Sequence, residues 1–368
     1  MMIDGQVSAA VLGATGVVGQ QLVRLLSDHP WLRPVELLAS EDSAGERYLD
    51  AANWMLDEPL PDGVASTRVR AVGARVESDL VFSALPSGIA RAAEDQYADA
   101  GRLVVTNAKD HRMDPNVPLV VPEVNADHLA LAHEQDREGD GRIVANPNCS
   151  AVGLVLALAP LMEDLHLSDV NVVSMQALSG AGVPGVASLE IQDNVIPLVA
   201  GEEEKLKREP HKILGDIERC DVGGGLTVEP ASIRVSPQCN RVAVSDGHLQ
   251  SVSLRFGDGA HRPVDLDGLR ELWNGYSGLP QELGLPSAPE CPVRHLEGKA
   301  VPQPRRHRGA GRGMTVTVGR LQRCAVHDVR FVTLSHNTVR GAAGGAILIA
   351  ETVQAVDGAI VASGPGRG

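Results

Sequence analysis

The fold is decided by the stretch Val7-Ser-Ala-Ala-Val-Leu12, Gly13-Ala-Thr-Gly-Val-Val-Gly19 and its continuation from Gln20 to Ser27. The first part is an apolar run typical of a buried strand, and the last part carries leucines at helical spacing. Glycines between a strand and a helix permit a tight turn and the close approach of backbone to a pyrophosphate. The spacing GxxGxxG is a variant of GxGxxG, and a purely structural turn is the alternative. The stretch predicts the first unit of a dinucleotide-binding domain.

Strand and helix patterns continue to alternate up to about residue 150. Alternation of this kind predicts a Rossmann-type, doubly wound parallel sheet in an α/β fold. The segments are strands at Val35–Ala39, Val69–Val76, Leu80–Ser87, Leu103–Thr106 and Pro118–Glu123, and a helix at Ile89–Ala100.

The end of the second strand bears on the choice of cofactor. In sites that prefer NAD, an acidic residue there binds the ribose hydroxyls. Here the strand runs into Ser40, Ser43 and Arg47, which could hold the 2′-phosphate of NADP. Glu41 and Asp42 lie beside them, so the pattern favours NADP without excluding NAD.

A second informative stretch is Ile143-Val-Ala-Asn-Pro-Asn-Cys-Ser-Ala-Val-Gly153, in which a strand-like run gives way to a long apolar helix-like run. Cys149 lies at the transition from the strand-like run to the helix-like run. Backbone N–H groups and the helix dipole would face its sulfur there, which predicts a pKa below the usual 8.5 or so and a nucleophilic thiolate. The alternative is a small buried apolar side chain.

Composition narrows the classes of function. Hydrophobic residues make up 43% of the 368, and aromatic residues only 2%, so the core must be aliphatic. The net charge of −14 disfavours nucleic acid as a partner. The five cysteines are widely spaced without metal-ligand patterns, which predicts no metal site and no disulfide framework. With no signal-peptide pattern and no membrane-length apolar run, we expect a cytoplasmic protein.

The second half of the chain predicts a mixed α+β domain. Strand patterns cover Val170–Leu178, Leu249–Phe256 and Met314–Leu321, and an apolar helix ends at Ala355. The charged helical stretch Glu202–Leu214 could be only a solvated face. The Pro- and Arg-rich segment 284–313 is interpreted as a solvated loop without a nucleic-acid role.

Several motifs together resemble the archaeal and fungal branch of the aspartate-β-semialdehyde dehydrogenase family, over nearly the whole chain. They are Gly13–Gly19, Asn146-Pro-Asn-Cys-Ser150, Met175-Gln-Ala-Leu-Ser-Gly-Ala-Gly182, Asp193-Asn-Val-Ile-Pro197, Gly201-Glu-Glu-Glu-Lys205, Gln238-Cys-Asn-Arg241 with Asp246-Gly-His248, and His336-Asn-Thr-Val-Arg-Gly-Ala-Ala-Gly344. The resemblance implies NADPH-dependent conversion of β-aspartyl phosphate to aspartate β-semialdehyde, through a thioacyl intermediate on Cys149, in the biosynthesis of lysine, threonine and methionine.

The resemblance also implies roles for individual residues. His248 would act as general acid/base, and Gln176 would orient the intermediate. Arg241 would bind the substrate α-carboxylate and Glu202 its amino group, while Lys205, Arg112 and Asn148 would hold the phosphate. The implied contacts of NADP(H) are Gly13, Thr15, Gly16, Val17, Val18, Gly19, Ser40, Ser43, Ser87, Ser179, Gly180, Gly182 and Asn337.

The resemblance predicts two domains and an oligomer. Residues 1–148, joined by about 336–368 through a returning last helix, would bind the dinucleotide. Residues 149–335 would form a catalytic and dimerisation domain like that of glyceraldehyde-3-phosphate dehydrogenase, in a homodimer or a homotetramer. Two other readings stay open: a related acyl-phosphate or acyl-CoA reductase such as malonyl-CoA reductase, and a non-catalytic NADP-binding paralogue.

Overall fold

A computed structural model describes residues 2–3, 5–137, 139, 141–162, 165–219, 224–257 and 264–357. The N-terminal part forms a parallel sheet with the strand order β4-β3-β2-β5-β6-β7, and the short β1 pairs antiparallel with β2. Its strands are β1 Met2–Ile3, β2 Gln6–Leu12, β3 Leu32–Ala39, β4 Arg70–Ala71, β5 Leu80–Ser83, β6 Leu103–Thr106 and β7 Arg142–Ala145. Its helices are α1 Val17–Ser27, α2 Tyr48–Ala51, α3 Asp62–Ala65, α4 Ala90–Asp99 and α5 Pro122–Asn125.

This sheet confirms the predicted doubly wound α/β fold. The chain leaves β2 toward β3 on one side and later returns to β5 on the other, so a crevice opens at the carboxyl ends of these two strands. Two strand predictions are wrong. Val69–Val76 is reduced to the two residues of β4, and in Pro118–Glu123 only Leu119 bridges to Ala145 before Pro122 begins α5. Proline suits the first turn of a helix because the N–H it lacks would have no partner there.

The second part of the chain forms a mixed sheet with the strand order β11-β8-β12-β15-β14-β13, beside a two-stranded sheet of β9 and β10. The strands are β8 Leu167–Gln176, β9 Asp216–Arg219, β10 Leu226–Glu229, β11 Arg234–Arg241, β12 His248–Phe256, β13 Val293–His295, β14 Val316–Arg323 and β15 Val329–Ser335. The helices are α6 Cys149–Met162, α7 Ser188–Ile191, α8 Glu202–Ile213, α9 Leu266–Gly275, α10 Leu279–Glu282, α11 Pro304–His307 and α12 Gly344–Val356. Pro237 lies in β11, an edge strand, where proline's missing N–H is tolerated.

Two apolar helices connect the sheets to the site. α6 is buried along almost its whole length and shares one core with both sheets. α12 packs against the parallel sheet, with Ile347 and Val353 in the same core as Ala9 and Leu22. A π-helical turn, Val339–Ala343, precedes α12 in the stretch predicted as one helix. The end of the predicted returning segment, residues 358–368, lies outside the described residues. In the part of the chain that the structure describes, no helix has the length and apolar character to cross a membrane.

Candidate active site

Cys149 is the first residue of α6 and directly follows the loop that leaves β7. The side-chain oxygen of Asn148 accepts hydrogen bonds from the backbone N–H groups of Ser150 (3.0 Å) and Ala151 (3.3 Å). Asn148 thereby caps the helix, whose first N–H groups have no partner within it. The strand-to-helix handover therefore places the thiol at a capped helix N-terminus.

The partner of the sulfur is His248, the first residue of β12. Its Nε2 lies 3.2 Å from Cys149 Sγ, and the backbone N–H of Ala177 donates to its Nδ1 at 3.1 Å. A neutral imidazole has one donor and one acceptor nitrogen. Because Nδ1 accepts from Ala177, the ring proton is on Nε2 and points at the sulfur. His248 is therefore held as a hydrogen-bond donor to the Cys149 sulfur.

Loss of hydration is the largest influence on the pKa of Cys149 and on the pKa of His248. Burial raises the pKa of the Cys149 thiol to about 12, and the nearby Glu202 carboxylate adds to this rise. Burial lowers the pKa of His248 to about 3. Three cations lower the thiol pKa in opposition: Arg112, Lys205 and Arg241. The pKa below 8.5 that the sequence suggests is therefore wrong for the pocket as the structure shows it, because desolvation outweighs these charges.

Glu202, the first residue of α8, gathers three side chains around one carboxylate. Its oxygens accept from Asn148 Nδ2 (3.0 and 3.1 Å), Gln176 Nε2 (3.2 Å) and Lys205 Nζ (2.6 Å). Burial by itself would raise the pKa of Glu202, but the Lys205 ammonium and these hydrogen bonds lower it overall. Glu202 is therefore an ionised carboxylate inside the pocket, which suits an ammonium group.

Arg241 ends β11 and is buried next to His248. Its NH1 donates to the carbonyl oxygen of Ala177 at 2.6 Å, so the same short segment holds both side chains. A Cβ added at Gly180 would lie 3.2 Å from Arg241 NH1 and 3.2 Å from His248 Cε1. Glycine at this position leaves room for the guanidinium and the imidazole to face one pocket.

Arg112 is buried beside the loop that precedes Cys149. Its Nε donates to Asn146 O (3.0 Å), its NH2 to Asn107 O (2.6 Å) and its NH1 to Glu209 Oε1 (2.9 Å). The guanidinium thus ties this loop to the end of β6 and to α8. Direct contact of Arg112 with a phosphate stays a prediction.

The glycine-rich turn has the shape that a dinucleotide requires. Gly13 has φ +73°, and a Cβ there would lie 2.7 Å from the carbonyl oxygen of Ala84. A Cβ at Gly19 would lie 2.1 Å from the carbonyl oxygen of Gly13, so the turn closes only with glycines. Gly16 is the N-cap of α1 and offers no side-chain cap. The first N–H groups of α1 are thus open to an anion, and they belong to Val17, Val18 and Gly19.

The other predicted cofactor contacts lie around the same crevice. Ser40 follows β3, Ser43 belongs to the 3₁₀ turn Glu41–Ser43, and Ser87 follows β5, at the carboxyl ends where such sheets bind ligands. Thr15 lies in the glycine turn, where its carbonyl accepts from a glutamine of α1. The Arg47 guanidinium is paired with Asp50 at 2.6 Å, so its contact with a 2′-phosphate stays a prediction.

Asn337 lies between β15 of the mixed sheet and the π-helical turn that precedes α12. Its Nδ2 donates to Ser179 Oγ (2.8 Å), and its Oδ1 accepts from the backbone N–H of Gly247 (2.8 Å). Gly182, close to Ser179, has φ +68° and open space where a Cβ would stand. Gly180, in the same 3₁₀ turn as Ser179, faces Arg241 and His248. The open N–H groups of the glycine turn fit a pyrophosphate, and contact of Asn337 and Ser179 with the rest of NADP(H) stays a prediction.

Sequence reasoning missed three groups that shape this pocket: the Ala177 N–H, Glu209 and Gly341. A backbone N–H is common to all residues except proline, so nothing in the sequence identifies Ala177. Glu209 follows Glu202 by seven residues, and this spacing on a helix was a usable signal of a shared face. A Cβ at Gly341 would lie 2.6 Å from the Cβ of Cys149, a contact that only the tertiary structure reveals.

Comparison with known proteins gives matches along most of the chain. Residues 8–132 match the family model "Semialdehyde dehydrogenase, NAD binding domain", and residues 158–340 match "Semialdehyde dehydrogenase, dimerisation domain". The aspartate-semialdehyde dehydrogenase of Archaeoglobus fulgidus is 45% identical over 94% of this chain and 97% of its own length. The malonyl-CoA reductase (NADP) of Metallosphaera sedula is 39% identical over 93% of this chain and 95% of its own.

A solved structure superposes on most of the chain. The crystal structure of aspartate semialdehyde dehydrogenase with NADP from Candida albicans superposes with a TM-score of 0.85. It covers 97% of this chain and 100% of that chain, at 39% sequence identity.

Proposed function

The chain belongs to the aspartate-semialdehyde dehydrogenase family, and we propose that it performs the family's reaction through a thioacyl intermediate on Cys149. In that reaction β-aspartyl phosphate and NADPH give aspartate β-semialdehyde, NADP and phosphate. The observation that carries the proposal is the 3.2 Å contact of Cys149 Sγ with His248 Nε2, in a pocket that also holds Glu202 and Arg241.

The chain's own residues account for the bonds that change. The Cys149 thiolate attacks the acyl carbon of the substrate, the carbon–oxygen bond to the phosphoryl group breaks, and phosphate leaves with that electron pair. When bound, NADPH supplies the hydride that reduces the thioester carbon. The carbon–sulfur bond then breaks, which releases the aldehyde and restores the thiolate. His248 Nε2–H donates to the sulfur while it is anionic, and to the substrate oxygen while that oxygen is anionic.

The fixed tautomer of His248 bears on its predicted role as general acid/base. With Nδ1 accepting from the Ala177 N–H, the nitrogen that faces Cys149 already carries its proton. We therefore propose that His248 acts as a hydrogen-bond donor, and that thiolate formation depends on the cations around the sulfur, of which Lys205 and Arg241 are two.

Charge and shape support an amino acid substrate. The planar fork of Arg241 suits a bidentate carboxylate, and the ionised Glu202 suits an ammonium group. Lys205 lies one turn from Glu202 on α8 and offers an ammonium to the phosphate. These local charges would select a substrate that carries both signs, in a protein whose overall charge is −14.

Malonyl-CoA reduction is the second candidate, because a reductase of this substrate is 39% identical to the chain. The malonyl group carries no ammonium group for Glu202 to bind. A steady-state assay in the oxidative direction, with aspartate semialdehyde, phosphate and either NADP or NAD, tests the first reaction and the cofactor together. We expect phosphate-dependent reduction of NADP. Turnover of malonyl-CoA with NADPH, without activity on the semialdehyde, would overturn the proposal.

We further propose that the chain forms a homodimer through one face of the mixed sheet. Residues on alternate positions, such as Gln250 and Phe331, face α6 and α9. The opposite face shows half-buried apolar side chains: Leu249 pairs with Met175, and Val173 and Val332 flank Ser251 from the two neighbouring strands. Sedimentation analysis should find a dimer, and Val173→Glu should shift it toward monomer. A wild-type monomer, or a Val173→Glu dimer of unchanged stability, would contradict the proposal.

The free thiols bear on the cellular compartment of the protein. Among the described residues Cys149, Cys239, Cys291 and Cys324 are free. We propose a cytoplasmic location, since free cysteines persist where the compartment is reducing. Cell fractionation tests this location, and recovery outside the cytoplasmic fraction would contradict it.

A further inference from the structure

From the contacts of Glu209 we infer that this residue positions the nucleophile, an inference that rests on the proposed function of Cys149. Glu209 lies on α8, two turns after Glu202, and is 2% exposed. Residues seven apart on a helix share a face. The helix face that lines the substrate pocket at Glu202 therefore continues to the loop that carries Cys149.

The Glu209 carboxylate makes two bonds with different parts of the chain. Its Oε2 accepts from the backbone N–H of Asn148 at 2.6 Å, and its Oε1 accepts from Arg112 NH1 at 2.9 Å. Arg112 in turn donates to the carbonyl of Asn146. The loop before Cys149 is thus held from α8 both directly and through Arg112.

This arrangement meets a physical need at the start of α6. Asn148 is buried and is the cap residue of that helix, so its N–H has no partner within the helix. An unpaired buried N–H is costly, and a carboxylate at a helix N-terminus is favourable. Glu209 satisfies this N–H, and Arg112 balances its charge.

Lys212, three residues after Glu209, anchors the other side of Arg112. Its Nζ donates to the carbonyl oxygens of Arg112 (3.0 Å), Asp114 (2.7 Å) and Val117 (2.7 Å). The segment that carries Arg112 is therefore fixed to α8 as well. Glu209 therefore lies between the loop before Cys149 and the segment that carries Arg112, and both of these are fixed to α8.

The contacts of Glu209 bear on catalysis because they fix Asn148 and thereby the distance between Cys149 Sγ and His248 Nε2. Asn148 directly precedes Cys149, and it also caps α6 and donates to Glu202. A shift of Asn148 changes the 3.2 Å separation of Cys149 Sγ and His248 Nε2. A displacement of about 1 Å can cost on the order of 100-fold in rate.

Glu209→Gln is the informative variant, because the amide keeps the shape but offers one acceptor oxygen where two acceptors are used. We expect kcat per folded protein to fall about 100-fold, with the KM for aspartate semialdehyde within about threefold of wild type. Glu204→Gln is the matched control, on the same helix with a carboxylate that is 64% exposed, and its kcat should not change. A kcat for folded Glu209→Gln within twofold of wild type would overturn the inference.

Glu209→Asp covers the case in which the amide variant does not fold. It keeps the buried negative charge beside Arg112 and shortens the reach by one methylene, so we expect a folded protein with kcat reduced about tenfold or more. A raised KM at unchanged kcat would refute positioning and assign Glu209 to substrate binding through Arg112.

Alkylation of Cys149 by iodoacetamide separates this inference from the proposed function. If the wild type lacks phosphate-dependent turnover, the proposed function fails, but the alkylation rate still reports on the sulfur. We expect alkylation of Cys149 in Glu209→Gln to be about tenfold slower than in wild type and in Glu204→Gln, because the donor His248 no longer faces the sulfur. An equal rate in all three proteins would refute the inference.

Discussion

Gly341→Ala places a methyl group against Cys149, the proposed nucleophile. Gly341 lies in the π-helical turn Val339–Ala343, and a Cβ built there lies 2.6 Å from Cys149 Cβ and 2.8 Å from Cys149 Cα. Non-bonded carbons are most favourable at about 3.5–4.0 Å. The π-helical turn and the start of α6 must therefore separate by about 1 Å, which moves Sγ relative to His248 Nε2.

The two expected magnitudes follow from this displacement. Overpacking of a buried site costs about 1–3 kcal/mol, so we expect a folded protein with a lower melting temperature. A misplacement of about 1 Å costs on the order of 100-fold in kcat. The assay is phosphate-dependent reduction of NADP by aspartate semialdehyde, with the rate expressed per folded protein and folding followed by thermal melts.

Gly275→Ala is the control for this experiment. Gly275 ends α9, and an added Cβ there meets nothing within 4 Å. We expect wild-type kcat and unchanged or slightly higher stability, since alanine favours helix over glycine. If folded Gly341→Ala retains a kcat within twofold of wild type, the tight packing of this turn against Cys149 is not what holds the sulfur in place.

Three further outcomes are expected. Cys149→Ser should abolish phosphate-dependent NADP reduction while NADPH binding, followed by fluorescence titration, stays near that of wild type; substantial turnover would refute the covalent mechanism. Arg241→Lys should raise the KM for aspartate semialdehyde more than it lowers kcat, because a point charge replaces a planar fork, and an unchanged KM would argue against carboxylate binding. Because burial raises the pKa of Cys149 to about 12, the thiolate fraction grows with pH below that value, and alkylation of the unliganded protein should accelerate about tenfold per pH unit between about pH 7 and 9. A plateau below about pH 8 would contradict this.

The elements predicted best are those whose signal is local. The glycine turn between β2 and α1 and the long apolar α6 follow from residue spacing within one segment. The strand prediction for Pro118–Glu123 is wrong because an apolar run is equally typical of a buried strand and of an irregular segment packed in the core. Its backbone pairs only at Leu119, through the bridge to Ala145.

The direction of the pKa shift of Cys149 could not be predicted from the residues next to it in the sequence. A thiol at a helix N-terminus suggests a lowered pKa, but the burial of Cys149 and the nearby carboxylate of Glu202 raise it. Glu202 is 53 positions away along the chain, and desolvation depends on everything packed around the sulfur. The sign of the shift is therefore a property of the pocket.

The sequence by itself indicated the kind of chemistry, because a glycine-rich turn, a cysteine between a strand and a helix, an arginine and a histidine follow one another along the chain. Only the tertiary structure decided how they act. The tautomer of His248 depends on one backbone N–H, and the position of Cys149 depends on Glu209 and Gly341. These contacts join elements far apart in sequence, and their distances are set by the packing of α6 against α8 and the π-helical turn.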